Sequence, residues 1–256
     1  MPAPTLIIAA NDAVSLGSPM PDTPFYLQLC DRLVALIESG ELGPASRLPA
    51  ERLLAKRFAT TRVTLRQALS QLESEGRIHR RNRRGWFVSP PRVDYAPDRD
   101  QSFTQYVTAQ GRRPFTQVLS VCHRPAPPTV AQALAIPPEH TVLQVQRRRY
   151  IDDRAVLLER IWLRDDLLPG LAEADFTASL WQRLHDDYGI DQLRKSLRLY
   201  PTTLTGTEAE TLGVHSGCAG LCVTRVTYDR NGRALEYDED HWLHDAICIR
   251  ADVDMT

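Results

Sequence analysis

Apolar positions in the first ninety residues recur at helical spacing before giving way to alternation. Leu29, Leu33, Leu36 and Ile37 predict a helix that opens at Asp22-Thr23-Pro24, where a capping side chain precedes a proline in the first turn, and stops at Gly40. A loop over 41–48 follows. The stretch Pro49–Leu72 predicts two more helices joined by a tight turn: Leu54 and Phe58 sit four apart, and Leu65, Ala68, Leu69 and Leu72 form a buried face. Thr60 or Thr61 is placed to cap the second of these, and Glu75-Gly76 to close it. The segment Arg77–Val88 then predicts two short strands around an arginine-rich turn. Helix, helix, helix, β-wing is the order of a winged helix-turn-helix.

From Ser89 to Asp100 the chain is polar, proline-rich and without periodicity, which predicts an interdomain linker. Beyond it the pattern predicts helices at 102–110, 129–134, 179–188 and 205–212. Strands are predicted at 115–122, 141–151, 155–163, 193–199, 221–228, 234–243 and 247–251. Consecutive strands with short turns and interspersed helices indicate an antiparallel sheet covered by helices. The fold class is therefore α+β in two domains. The expected division is a flexible tail over 1–21, a DNA-binding domain over 22–89, a linker over 90–100 and a second domain over 101–256.

Composition changes this picture in one respect. The 256 residues are 43% hydrophobic and 25% charged with a net charge of −1, but the charge is unevenly distributed. Arginines and a lysine crowd 47–92, while the compensating acids lie at Asp152–Asp153, Asp165–Asp166, Asp186–Asp187 and Glu236–Asp240. Only the first half is thus suited to a polyanion. On the third helix Arg62 and Arg66 are one turn apart and point away from the buried stripe, next to a helix N-terminus. Arginines there suit phosphates and guanine edges, whereas the bland alternative is a solvated basic face. Five scattered cysteines and no apolar run near the ~18 residues of a bilayer span point to a reducing cytoplasm with no membrane attachment.

Several stretches carry a resemblance: Arg47-Leu-Pro-Ala-Glu-Arg-Leu-Leu-Ala, Thr61-Arg-Val-Thr-Leu-Arg-Gln-Ala-Leu, Leu72-Glu-Ser-Glu-Gly and Gly85-Trp-Phe-Val. Over about 24–88 the chain resembles the DNA-binding domain of the GntR family of bacterial transcription regulators. The resemblance implies double-stranded operator DNA as a partner, contacted by Arg52, Thr61, Arg62, Thr64 and Arg66. The wing turn, Arg83, Arg84 and Gly85, would enter the minor groove. Where the family usually has Gly-x-Gly-Thr, this chain has Arg83-Arg84-Gly85-Trp86, so arginines stand where a first glycine would let the backbone approach.

From about 100 to 250 the order of elements is similar to the UTRA ligand-binding domain of the HutC subfamily, whose fold resembles chorismate lyase. Arg147–Asp153, Glu159, Ser179-Leu-Trp and Tyr237–Asp245 carry this looser match. It implies a homodimer and an effector of the sugar-phosphate, amino-acid or phosphonate class, with Arg147, Arg149, Glu159, Ser179, Tyr237 and Glu239 as candidate contacts. Chemistry narrows the effector. Arg147 and Arg149 share a strand face, and a three-residue turn at 152–154 would set Arg147 opposite Glu159. That pair is either a structural ion pair or a site for both signs of charge, such as a zwitterionic aminoalkylphosphonate binds. The wing and the acidic ending also look like those of phosphonate-utilisation regulators. An enzyme acting on an anionic molecule is the alternative to a regulator, and the basic winged domain speaks against it. No cofactor is expected. His215, Cys218 and Cys222 match no established zinc spacing, His241 and His244 should face opposite ways, and Trp162, Trp181 and Trp242 suit a core better than a cage.

Overall fold

The computed structural model describes residues 23–81, 84–99, 101–190 and 194–252. The tail expected over 1–21 and the wing residue Arg83 lie outside them. Helices α1 (Phe25–Glu38), α2 (Glu51–Arg57) and α3 (Arg62–Ser74) pack around Leu33, Leu54, Leu65, Leu69 and Leu72, all at most 1% exposed. Pro24 is the cap residue of α1 rather than its first helical residue, and no side chain caps that end. Strands β1 (Ile78–Arg81) and β2 (Gly85–Val88) pair antiparallel as the wing, closing the same core with Ile78, Trp86 and Val88.

The proline-rich stretch after the wing is not structureless. Strand β3 (Val93–Tyr95) runs parallel to β10 (Ile247–Ile249), so the predicted last strand leaves the main sheet and clasps the linker. Helix α4 (Phe103–Ala109) follows, opened by a reciprocal cap between Ser102 and Gln105.

Six antiparallel strands form the second domain's sheet: β4 (Pro114–Pro125), β5 (Thr141–Ile151), β6 (Arg154–Leu163), β7 (Arg194–Leu204), β8 (Cys218–Tyr228) and β9 (Ala234–Leu243). Their order is β4-β5-β6-β9-β8-β7. Helices α5 (Pro128–Leu134) and α7 (Gly206–Leu212) cover one face, where α5 packs on Val142 and Trp162 and α7 meets Arg148 and Arg160. Helix α4, two short turns over 165–173 and α6 (Leu180–Tyr188) cover the other.

The β5–β6 hairpin corrects its predicted turn while keeping its predicted pairing. Its loop has two residues, Asp152 and Asp153, both at positive φ, the backbone twist that suits a tight hairpin. Ile151 therefore pairs with Arg154. A bulge between Arg149 and Tyr150 then shifts the register by one, so Arg147 still faces Glu159.

Candidate functional site

On the DNA-binding half, Thr61 caps α3 by accepting a hydrogen bond from the Thr64 backbone at 3.2 Å. Arg52, Thr61 and Arg62 are exposed, while Thr64 is half-buried under its contact to Thr61. Arg66 is exposed as well, yet its Nε donates to Glu51 at 2.8 Å. Glu51 also accepts from the Trp86 indole at 3.2 Å, so one carboxylate braces α2, α3 and the wing. The Arg66 hydrogen bond, with a smaller contribution from Trp86, outweighs burial and holds the Glu51 carboxyl below its usual range. In the wing, Gly85 adopts φ +94°, which a side chain would strain, and Arg84 is exposed beside it. Arg80 and Arg81 lie against the rings of Trp86 and Phe87, keeping the wing's charge close to its strands.

In the second domain a cavity of about 80 Å³ lies between α4, the sheet and the start of α6. That is room for roughly five to eight ordered waters or one compact metabolite. Arg147, Arg149 and Glu159 form its floor, each no more than 7% exposed. Arg147 Nε donates to Glu159 Oε2 at 2.5 Å, and Arg149 reaches both carboxylate oxygens at 2.9 and 3.1 Å. Burial pushes the Glu159 carboxyl up, but the two guanidinium charges together prevail and hold it below the usual range. Arg149 also donates to Thr116, and its guanidinium lies over the Phe103 ring at 4.8 Å. Arg147 Nη1 donates to the Phe176 and Ala178 carbonyls, and among the described residues its Nη2 has no hydrogen-bond partner.

The pair is the structural ion pair of the first reading, and it lines the cavity. Ser179 joins it from the start of α6, where its hydroxyl accepts from the Gln182 backbone at 3.2 Å.

Tyr237 and Glu239 are the corrections. Alternation along β9 turns Glu236, Asp238, Asp240 and Trp242 toward the cavity side and its core, and Tyr237 and Glu239 away from it. Tyr237 packs on Trp162 on the α5 side of the sheet, with ring centroids 5.5 Å apart. Glu239 accepts from Arg160 at 3.0 Å on that same face. The charged cavity residues that sequence reasoning missed are Asp240 and Glu236, together with Arg225 and Lys195 from β8 and β7. The register would have found the first, since Asp240 is the β9 partner of Glu159. The spacing Glu236-x-Asp238-x-Asp240 was a second signal, because a period of two puts acids on one face.

Asp240 is a cavity group with spare capacity. It is 7% exposed, and among the described residues its Oδ1 has no hydrogen-bond partner, nor has Nε of Arg225, which lines the same cavity. Burial and the adjacent Glu159 charge push its carboxyl up to about 7, only partly offset by Arg225, Arg149 and Arg147. Of the tryptophans, Trp162 is core on the far face, whereas Trp242 and Trp181 border the cavity, the latter stacked on His185 at 5.8 Å. His215 lies 4.0 Å from Glu73, and Cys218 and Cys222 are buried as free thiols.

The two halves meet at a polar junction. Arg81 donates to His79 Nε2 at 3.4 Å, and His79 Nδ1 lies 3.4 Å from Ser89 Oγ. Ser89 donates to Asp245 at 2.8 Å, which also accepts from Arg154 at 2.9 Å. Burial and the Arg154 charge push His79 down to about 3, so its ring is neutral there and passes hydrogen bonds in one direction. A chain of four side-chain contacts therefore runs from the wing to the first residue of β6, the strand that carries Glu159.

Two family models match the chain. Residues 25–88 match the model of the bacterial regulatory proteins of the gntR family, and residues 109–247 match that of the UTRA domain. The transcriptional repressor NagR of Bacillus subtilis is 31% identical over 84% of this chain and 88% of its own length. The crystal structure of PhnF from Mycobacterium smegmatis is 27% identical with a TM-score of 0.63, covering 90% of this chain and 99% of that one. The structure of the PhnF effector domain is 26% identical with a TM-score of 0.56, covering 60% of this chain and 95% of that one. A basic winged helix-turn-helix joined to a sheet with a charged cavity, matched at this level along both halves, makes the chain a member of the GntR family of DNA-binding transcription regulators, in the branch that carries a UTRA domain.

Proposed function

We propose that the protein is a ligand-responsive repressor that binds a palindromic operator as a homodimer and answers to a small zwitterionic metabolite of the aminoalkylphosphonate class. The observation that carries the effector reading is the cavity's mixed charge, with Asp240 Oδ1 buried and unpartnered in a site walled by Arg147 and Arg149. The free Nη2 of Arg147 and the N-terminus of α6 at Ser179 form the anion end. An ammonium group fits at Asp240, where it would satisfy a carboxylate that otherwise costs free energy to ionise. The match to the PhnF effector domain supports placing the effector in this half of the chain, and NagR's being a repressor supports the sign of regulation. A dimer would present two α3 helices to two half-sites at once, so a small change in their spacing would weaken specific binding steeply.

A thermal-shift comparison of aminoethylphosphonate, ethylphosphonate, ethanolamine and glucosamine phosphate tests the class. Saturating ligand at a hundred times Kd stabilises the folded state by about 2.7 kcal/mol. Aminoethylphosphonate alone should raise the midpoint, and Asp240→Asn should remove most of that rise. A midpoint that moves only with the sugar phosphate would keep the regulator and replace the class. For the DNA half, Arg62→Ala should weaken operator binding in a fluorescence-anisotropy titration at least tenfold with the effector response of the second domain intact.

A further inference from the structure

The recognition helix presents an apolar side chain where a polar one would be expected. Leu65, Ala68, Leu69 and Leu72 of α3 are all 0% exposed and define its core line. At about 100° per residue, Val63 falls within about 10° of the line diametrically opposite that stripe, while Arg62 and Arg66 stand about 110° and 70° to one side of it. Val63 is 70% exposed, the highest value among the exposed large hydrophobics of the described residues. It sits in the first turn, directly after the Thr61 cap and Arg62. The first turn of a recognition helix is the part that reaches base edges. The two arginines thus flank the helix on a side suited to phosphates, and the outermost side chain is an isopropyl group.

An isopropyl group has one favourable partner in the major groove, the 5-methyl of thymine. Cytosine at the same place offers an amino donor, and Val63 would strip water from it without accepting its hydrogen bond. We propose that Val63 is a specificity-determining residue that selects thymine at one position in each operator half-site by packing on its methyl group. The proposal rests on the assignment of α3 as the recognition helix. A β-branched side chain on a helix has essentially one rotamer, so the isopropyl group is held in place before DNA arrives.

The test uses DNA selected from a random pool by the full-length wild-type protein. Each thymine of the selected site is then replaced, symmetrically in both half-sites, by deoxyuridine, which removes the methyl and leaves every hydrogen-bonding atom. One position should weaken wild-type binding by about fourfold per half-site, the worth of one buried methyl group. Val63→Ala, which alters only an exposed side chain, should bind with no sensitivity at that position. Placing 5-methylcytosine there should restore part of the affinity that cytosine loses with the wild type and none with the variant. A selected site in which no thymine is methyl-sensitive, or a sensitivity that persists in Val63→Ala, would overturn the role of Val63 alone. Wild-type affinity unchanged by Arg62→Ala would overturn it together with the recognition-helix assignment.

Discussion

Two acids on neighbouring strands, Glu159 and Asp240, face each other in register and behave oppositely. Glu159 is neutralised by two arginines, so its charge is the condition for theirs to be buried. Glu159→Gln should leave two guanidinium groups without a counter-charge and cost about 3–5 kcal/mol in a denaturant titration. Among the described residues Asp240 has no such ion pair. Because its folded pKa is raised from 3.8 to about 7, the folded protein holds a proton that the unfolded chain has released across that window. Stability contributed by this group therefore falls as pH rises through the window. Asp240→Asn should stabilise the protein less at pH 5, early in that window, than at pH 8, beyond its upper end. Thermal melts of the two proteins at both values check this, and equal differences would mean that Asp240 ionises normally. An ammonium-bearing effector should likewise bind more tightly as pH rises past about 7.

At the scale of elements, what the sequence made legible follows from periodicity. Helix α3 and its core face could be read because four apolar residues at helical spacing have one consistent structural meaning. The hairpin β5–β6 was legible in its pairing and not in its turn, since a two-residue loop plus a bulge gives the same register as a three-residue loop. The face of β9 was misjudged at Tyr237 and Glu239. Similarity points to a segment, whereas only the register with Glu159 says which alternate residues of that segment share its face. Strand β3 could not have been anticipated, because three residues in a proline-rich run carry no period and owe their pairing to β10, some 150 positions later in the chain. The end of α3 also joins an element to the rest of the molecule. Gly76 takes φ +73°, and a methyl group there would come within 2.8 Å of the Arg92 guanidinium and 3.0 Å of Asp245. Gly76→Ala should lower stability by more than about 1 kcal/mol, measured by urea unfolding, through backbone strain added to crowding.

For the whole molecule, the junction through His79, Ser89, Asp245 and Arg154 is the place where occupancy of the cavity and placement of the wing can be linked. It lies beyond the reach of sequence reading, since two of its hydrogen-bonded members, Ser89 and Asp245, are 156 positions apart and no pattern relates them. Asp245 follows Trp242 of the cavity wall by three residues, so a shift of β9 on ligand binding would act directly on the Ser89 contact. Ser89→Ala removes one donor without leaving a buried charge unpaired, because Arg154 still holds Asp245. The variant should bind operator and effector separately with near-native affinity, while the effector's influence on operator binding falls severalfold in anisotropy titrations. An undiminished effector response would place the transmission elsewhere.

The clasp of β3 by β10 has a consequence for measurement. Because the linker is built into the fold of the second domain, it offers a path by which a change of state in one half would change the free energy of the other. Such a coupling has no direction: if the effector lowers operator affinity by some factor, the operator must lower effector affinity by the same factor. The protein on its operator is then a poorer metabolite sensor than the protein free in solution. The concentration at which the gene responds depends on how many operator sites the cell holds, as well as on the cavity's own chemistry.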